Sequence, residues 1–252
     1  MPEYERVVQL PSRGLLYGGL LPEGRVTVKP MTTQEEKLLA SSSQSGTKLI
    51  DALFRRLVQL PEGLTPDKLL TEDRFSLLLH IRSLSYGPSY TVTLNCHQCR
   101  KLISEEIDLD RDVLSAEVPM PPETTGTFEV ELPMAAKLLT LRFATGEDEA
   151  AADKRRVTLK SGDDRREFRI ARIIMAFDGV PVKDFLEALN FVRTMQSRDA
   201  VAIRDALRDN TFGLEGLEFN FVCNNCNAEQ PPTFLPVGED FFRVVTPRSK
   251  QL

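Results

Sequence analysis

Three features of the sequence predict an α+β fold that is interrupted in its middle. Helical periodicity fills residues 31–88, after an opening segment dense in proline and glycine. Two strand-like runs each end in a CxxC pair, Cys96/Cys99 and Cys223/Cys226. Strand and helix patterns alternate in the stretch between the pairs, so a mixed α/β region is inserted there. The expected organisation is an extended N-terminal arm (1–30), a helical module (31–88), a knuckle-bearing β element split into 89–110 and 215–240, an inserted region (115–214), and a C-terminal tail (241–252).

In the arm, Pro11, Gly14, Gly18, Gly19, Pro22 and Gly24 forbid a long helix, and Val26-Thr27-Val28 reads as a short strand before Pro30. A segment of this kind is either a solvated tail or lies along a partner. Leu15, Leu16 and Tyr17 are its apolar candidates for such a contact. In the helical module, Thr32 or Thr33 caps a helix with Glu35 and Glu36 in its first turn. A second helix, 47–60, carries Leu49, Ile50, Leu53, Leu57 and Leu60 at three- and four-residue spacing. Pro66 opens a short helix. Thr71 caps the next, with Phe75, Leu78, Leu79 and Ile81 on one face and a stop near Gly87-Pro88. Asp73, Arg74 and Arg82 on that helix form either buried ion pairs or surface pairs.

Tyr90–Leu94 alternates as a strand into Cys96, and 101–109 leaves as a second. Strands follow at 128–132 and 138–143, and an Ala-rich charged helix at 145–156. Residues 165–177 fit strand or helix, and helices are expected over 181–194 and from Ser197 to about Leu207. A strand over 217–221 then enters Cys223, and 231–252 reads as irregular.

The chain has 252 residues, 41% hydrophobic and 27% charged, which is enough apolar material for a real core. A net charge of −5 disfavours a nucleic-acid surface, which needs a local Lys/Arg excess. No run of 18 apolar residues occurs, so no membrane span is expected. Met1-Pro2-Glu3-Tyr4-Glu5-Arg6 does not start as a signal peptide. A cytoplasmic chain keeps its thiols reduced.

All four cysteines fall in the two pairs, and none is left over. In a zinc knuckle, the two-residue gap turns two thiolates of one tight turn toward one ion, and two such turns complete a tetrahedral four-sulfur site. Cys96, Cys99, Cys223 and Cys226 are therefore the expected ligands of one structural zinc. Cys99 and Cys223 stand 124 positions apart, so a whole subdomain lies between the knuckles. A redox pair would sit at a helix N-terminus, and neither CxxC precedes a convincing helix. Four protein ligands leave no open position for water, so such a zinc staples and does not catalyse.

Catalytic constellations are missing. The chain has two histidines: His97 lies inside the first knuckle, and His80 sits among Leu78, Leu79 and Ile81 as a core-edge residue. GxSxG, P-loop, GxGxxG and HExxH motifs do not occur. Asp108-Leu109-Asp110 reads either as a metal site or as an ordinary strand end. The basic run over 154–172 is interleaved with Asp163, Asp164 and Glu167 and reads as a solvated charged hairpin.

Leu10-Pro11-Ser12-Arg13-Gly14-Leu15-Leu16-Tyr17, then Val26–Glu36, then Asp73–Arg82, Ser85-Tyr86-Gly87 and the first CxxC follow in an order that resembles the T4-type bacteriophage baseplate protein family. The resemblance covers about 8–110, weakens through 115–215, and returns at the second CxxC. It implies a non-enzymatic structural or assembly subunit of a contractile-tail baseplate, associated with the hub, binding other tail proteins and assembled in the host cytoplasm. A transient hub-assembly chaperone and a zinc-ribbon nucleic-acid-binding protein are the alternatives. No membrane and no small-molecule substrate is expected.

Overall fold

The structure, a computed structural model, describes residues 4–41, 46–117, 119–121, 126–155, 158, 161–214, 217–235 and 239–242. Strands β1 (Arg6–Gln9) and β2 (Arg25–Val28) pair antiparallel with Val8 opposite Val26, and β3 (Val58–Gln59) joins the far side of β2. Between β1 and β2 the chain winds through successive turns, Arg13 N–H to Leu10 C=O and Gly24 N–H to Leu21 C=O among them. Gly14 sits at φ +77°, and a Cβ there would stand 1.8 Å from the Leu21 carbonyl oxygen, so only glycine fits. The described part of the opening segment is thus folded onto the body and is not an extended arm. Its proline and glycine residues serve tight turns, and Val8, Leu10, Leu21, Val26 and Val28 are core residues.

Helix α1 (Thr33–Ser41) begins with Glu35 accepting from the Thr32 amide and hydroxyl. Helix α2 (Thr47–Leu57) buries Leu49, Leu53 and Leu57 of the expected set and adds Phe54, while Ile50 is half-buried and Leu60 lies beyond the helix end. A 3-10 turn follows at Pro66–Lys68, and then α3 (Thr71–Tyr86), which ends at Gly87. Thr71 is the first residue of α3 and not its cap. Helix α3 is the central element: Leu77, Leu79 and Ile81 are fully buried, and so is Asp73. Strands β4 (Ser89–Asn95) and β5 (Leu102–Asp108) form the hairpin that carries the first CxxC, with a helical turn at Leu109–Leu114 after it.

The insertion begins with β6 (Thr127–Leu132) and β7 (Lys137–Arg142), followed by α4 (Gly146–Lys154) and α5 (Gly162–Ile173). It continues with β8 (Ile174–Phe177), β9 (Val180–Pro181), α6 (Phe185–Thr194) and α7 (Ser197–Asp209). The four strands form one antiparallel sheet in chain order. The ambiguous stretch 165–177 resolves into both states, helix to Ile173 and strand from Ile174. Of the run expected as a charged hairpin, Lys154 ends α4 and 162–172 is helix α5, started by a reciprocal capping box of Ser161 and Asp164, while 156, 157, 159 and 160 lie outside the described residues. The chain returns through β10 (Glu218–Phe219), which pairs with β11 (Thr233–Phe234) across the second CxxC. Of the expected tail, Phe241 and Phe242 are core residues, and 243–252 lies outside the described residues.

Among the described residues two large apolar cores result, beside the small cluster of Cys96, Ile103 and Cys223. One joins the N-terminal hairpin, α2, α3, β4, β5 and Phe212, Phe221, Phe241 and Phe242. The other fills the insertion with Val130, Leu139, Leu141, Ile174, Leu189 and Ile203.

Polar fasteners join them. Arg74, 2% exposed, donates to Asp51 (2.7 Å), Glu149 (2.9 Å) and the Pro66 carbonyl (2.6 Å), so α3 binds α2 and α4 through one guanidinium. Its plane lies against Gly146, where a Cβ would stand 2.6 Å from Nη1. The buried-pair reading of Arg74 holds. Arg82 is also buried, but it donates to the Phe241 and Gly87 carbonyls and lies 4.9 Å over the Tyr86 ring. No described helix is long and apolar enough to cross a membrane.

Candidate metal centre

The first CxxC occupies the turn between β4 and β5. Cys96 N–H donates to Lys101 C=O (2.9 Å), Arg100 N–H donates back to Cys96 C=O (3.0 Å), and Arg100 takes a left-handed φ of +62°. The second CxxC repeats this turn. Cys223 N–H donates to Ala228 C=O (2.9 Å), Asn227 N–H donates to Cys223 C=O (2.8 Å), and Asn227 sits at φ +55°. The two turns are therefore the same knuckle, built twice from unrelated residues.

They face each other. All four sulfurs lie within 4.8 Å of one another, with Cys96–Cys226 and Cys99–Cys223 each at 3.7 Å. That spacing is far outside a disulfide bond of about 2.05 Å, and the cysteines are free. A tetrahedral ion with metal–sulfur bonds of about 2.3 Å sets its sulfurs about 3.8 Å apart. The four cysteines thus fit a metal site. Cys96 and Cys223 are buried in a small cluster with Ile103, while Cys99 and Cys226 are half-buried.

The electrostatics suit a cation. The Cys99 amide, 3.4 Å from Cys96 Sγ, holds that thiol down at about 6. The Ala228 amide favours ionisation of Cys226 too, but burial and the three neighbouring sulfurs outweigh it and push Cys226 up to about 12. Four thiolates at this distance repel, and a divalent ion between them removes the conflict.

Amide side chains of the second knuckle reach across to the first. Gln230, 5% exposed, donates from Nε2 to Cys96 Sγ (3.5 Å) and to the Ala228 carbonyl (2.8 Å), and its Oε1 accepts the His97 N–H (3.0 Å). Asn225 Nδ2 donates to Cys99 Sγ (3.6 Å), and Asn225 Oδ1 accepts from Lys101 (2.6 Å). Sequence inspection missed Gln230. Its only signal is its place four residues after Cys226, where its N–H bonds back to the Phe221 carbonyl across the knuckle.

The remaining candidates fall elsewhere. Asp110 accepts two bonds from Arg6 (3.2 Å each) and one from Ser83, an ordinary structural carboxylate. Among the described residues, the four cysteines are the group of His, Cys, Asp and Glu side chains gathered as a metal site. His80 is pushed down to about 4 by burial, with Arg6 adding to the shift, so it is a neutral packing residue.

Leu15, Leu16 and Tyr17 do not act together. Leu15 is 45% exposed, Leu16 packs partly against the first core, and Tyr17 is 7% exposed. The Tyr17 hydroxyl donates to Asp73 and accepts the Leu70 N–H (3.0 Å), and Asp73 also accepts the Ser12 amide (2.9 Å) and hydroxyl (2.6 Å). Burial first, and the Asp73 charge next, hold the Tyr17 phenol well above its ordinary range. Burial also lifts Asp73, against the three donors that favour its carboxylate. Tyr17 therefore ties the opening segment to α3 and offers no free surface.

The family model described as T4 bacteriophage base plate protein matches residues 1–243. No curated protein and no solved structure matches the chain. Nearly the whole chain is covered by that one model, both knuckles and the insertion included, so this protein belongs to the T4 bacteriophage base plate protein family.

Proposed function

We propose that this chain is a non-catalytic structural or assembly subunit of a contractile phage tail baseplate, associated with the hub, with its fold stapled by one zinc ion on Cys96, Cys99, Cys223 and Cys226. The observation that carries this reading is the convergence of two knuckles across the insertion within a chain of baseplate family membership. A four-sulfur set at tetrahedral spacing suits zinc, which takes thiolates without a redox change. With all positions filled by protein, the ion contributes to folding and offers no site for substrate water. Its partners are other tail proteins, met in the host cytoplasm and retained in the virion tail. Exposed Leu15, with Leu20 on the same turn-rich segment, is the docking candidate.

The test is an inventory of purified particles by quantitative mass spectrometry, with zinc measured on the isolated chain. Fixed copy number and one zinc per chain support a permanent zinc-stapled subunit. Absence from particles that require the protein for assembly identifies a transient assembly factor. A folded, reduced, metal-free chain refutes the zinc assignment.

A further inference from the structure

We propose that Gln230 is the positioning residue of the four-cysteine site, holding the two knuckles in register by donating to Cys96 across the gap between them. The inference rests on the zinc reading. It starts from the near-symmetry of the two turns. Cys96 pairs with Lys101 as Cys223 pairs with Ala228, so Ile103 and Gln230 occupy equivalent places two residues further on. Both are buried, and Ile103 is apolar. That place therefore does not require a polar side chain.

Gln230 nevertheless brings a carboxamide into the sulfur cluster and divides its bonds between the two halves. One N–H stays in its own hairpin, on Ala228. The other goes to Cys96 of the opposite knuckle, and the carbonyl oxygen takes the His97 N–H of that same knuckle. A buried amide with its donors and acceptor satisfied is stable only while both knuckles are in place. Hydrogen bonds to a thiolate draw electron density from the sulfur and fix its direction, which is the outer-shell role that orients metal ligands. Asn225 repeats the device more weakly at the rim, from an exposed position onto Cys99.

The experiment uses the full chain as wild type, Gln230→Met and Gln230→Glu. Methionine keeps the volume without the amide. Glutamate keeps the shape and the acceptor for His97 but loses the donor to Cys96. Each protein is loaded with zinc or cobalt(II) under reducing conditions. The rate of metal loss to excess EDTA and the thiolate-to-cobalt charge-transfer band are then read, with circular dichroism reporting the fold. Loss of an outer-shell partner typically costs 10–100-fold in affinity, so metal release about 10–100-fold faster is expected. The charge-transfer band is expected to move to lower energy, because a sulfur relieved of a hydrogen bond donates more readily. A merely structural amide leaves that band in place. A folded variant with wild-type release and a wild-type band overturns the proposal while leaving the zinc site intact. A wild-type chain that binds neither ion overturns both. Should the methionine variant fail to fold, the isosteric glutamate variant decides.

Discussion

Replacing Tyr17 by phenylalanine separates an internal tie from a docking surface. The ring stays in its buried place, and only the hydroxyl is removed. Two bonds go with it: the donation to Asp73, and the Leu70 N–H that the hydroxyl accepts at 3.0 Å. A hydrogen bond to a charged group contributes about 1.5–3 kcal/mol, and leaving a buried donor without a partner costs about 1–3 kcal/mol. Both losses fall on one site, so a destabilisation of about 2–5 kcal/mol is expected for Tyr17→Phe. For a chain of this length each kcal/mol moves the midpoint by about 2–4 °C, which gives a shift of roughly 4–20 °C. Far-UV circular dichroism is the appropriate probe, because the chain has no tryptophan and tyrosine emission would change with the substitution itself. Leu15→Ser is the control. Leu15 is exposed and should leave the midpoint nearly unchanged. A Tyr17→Phe midpoint within a degree of wild type would refute the claim that the Asp73 cluster fastens the opening segment. A loss of partner binding with unchanged stability would return Tyr17 to the surface.

Further expectations follow from the fasteners. Gly146→Ala places a methyl against the Arg74 guanidinium and should displace it from Asp51, Glu149 and Pro66. Losing a buried pair outright costs about 3–5 kcal/mol, and a guanidinium at the end of a flexible side chain gives way in part, so a smaller loss than that is expected, read by urea unfolding against a Gly162→Ala control, where a Cβ meets nothing. Asp148 holds Arg142 and Arg172. Burial opposes its ionisation, but those guanidiniums and the Thr145 amide hold its carboxyl below the usual range. Its contribution is thus present above the ordinary aspartate pKa and lost as pH falls through the lower folded value, because the unfolded chain takes up the proton first. Thermal melts between pH 7 and 3 should fall less steeply for Asp148→Asn than for wild type, and equal slopes would count against the assignment. Chelation, or Cys226→Ser, should release the pairing of β4–β5 with the second knuckle. Structural zinc in small peptides contributes about 10–16 kcal/mol, so hydrogen exchange around 89–108 and 218–234 should rise sharply while the insertion core stays protected. Unchanged protection there would argue against a staple.

What local chemistry writes into the chain was legible without a fold. The CxxC pairs, the leucine periodicity of α2 and the turn residues around Gly87 each act over a few positions, so spacing alone identifies them. Capping at Ser161 was equally local, but the charge run beside it reads the same for a hairpin and a helix. Other features depend on residues distant in sequence. Tyr17 looked exposed because its acceptor, Asp73, lies 56 positions away, and a glycine-rich segment gives no sign of which body it folds against.

Gln230 is ordinary in sequence and becomes specific only when the second knuckle is laid on the first. Arg74 gains its meaning from Gly146 and Glu149 in an element inserted much later. The sequence by itself determined that four thiolates come in two ligand-shaped pairs and that the chain holds enough periodic apolar residues for a core. Only the tertiary structure decided that those pairs meet, that the opening segment is internal, and which amide orients the sulfurs. The physical reason is that spacing encodes short-range geometry, whereas a buried polar contact is specified jointly by two distant segments and exists only after both are packed.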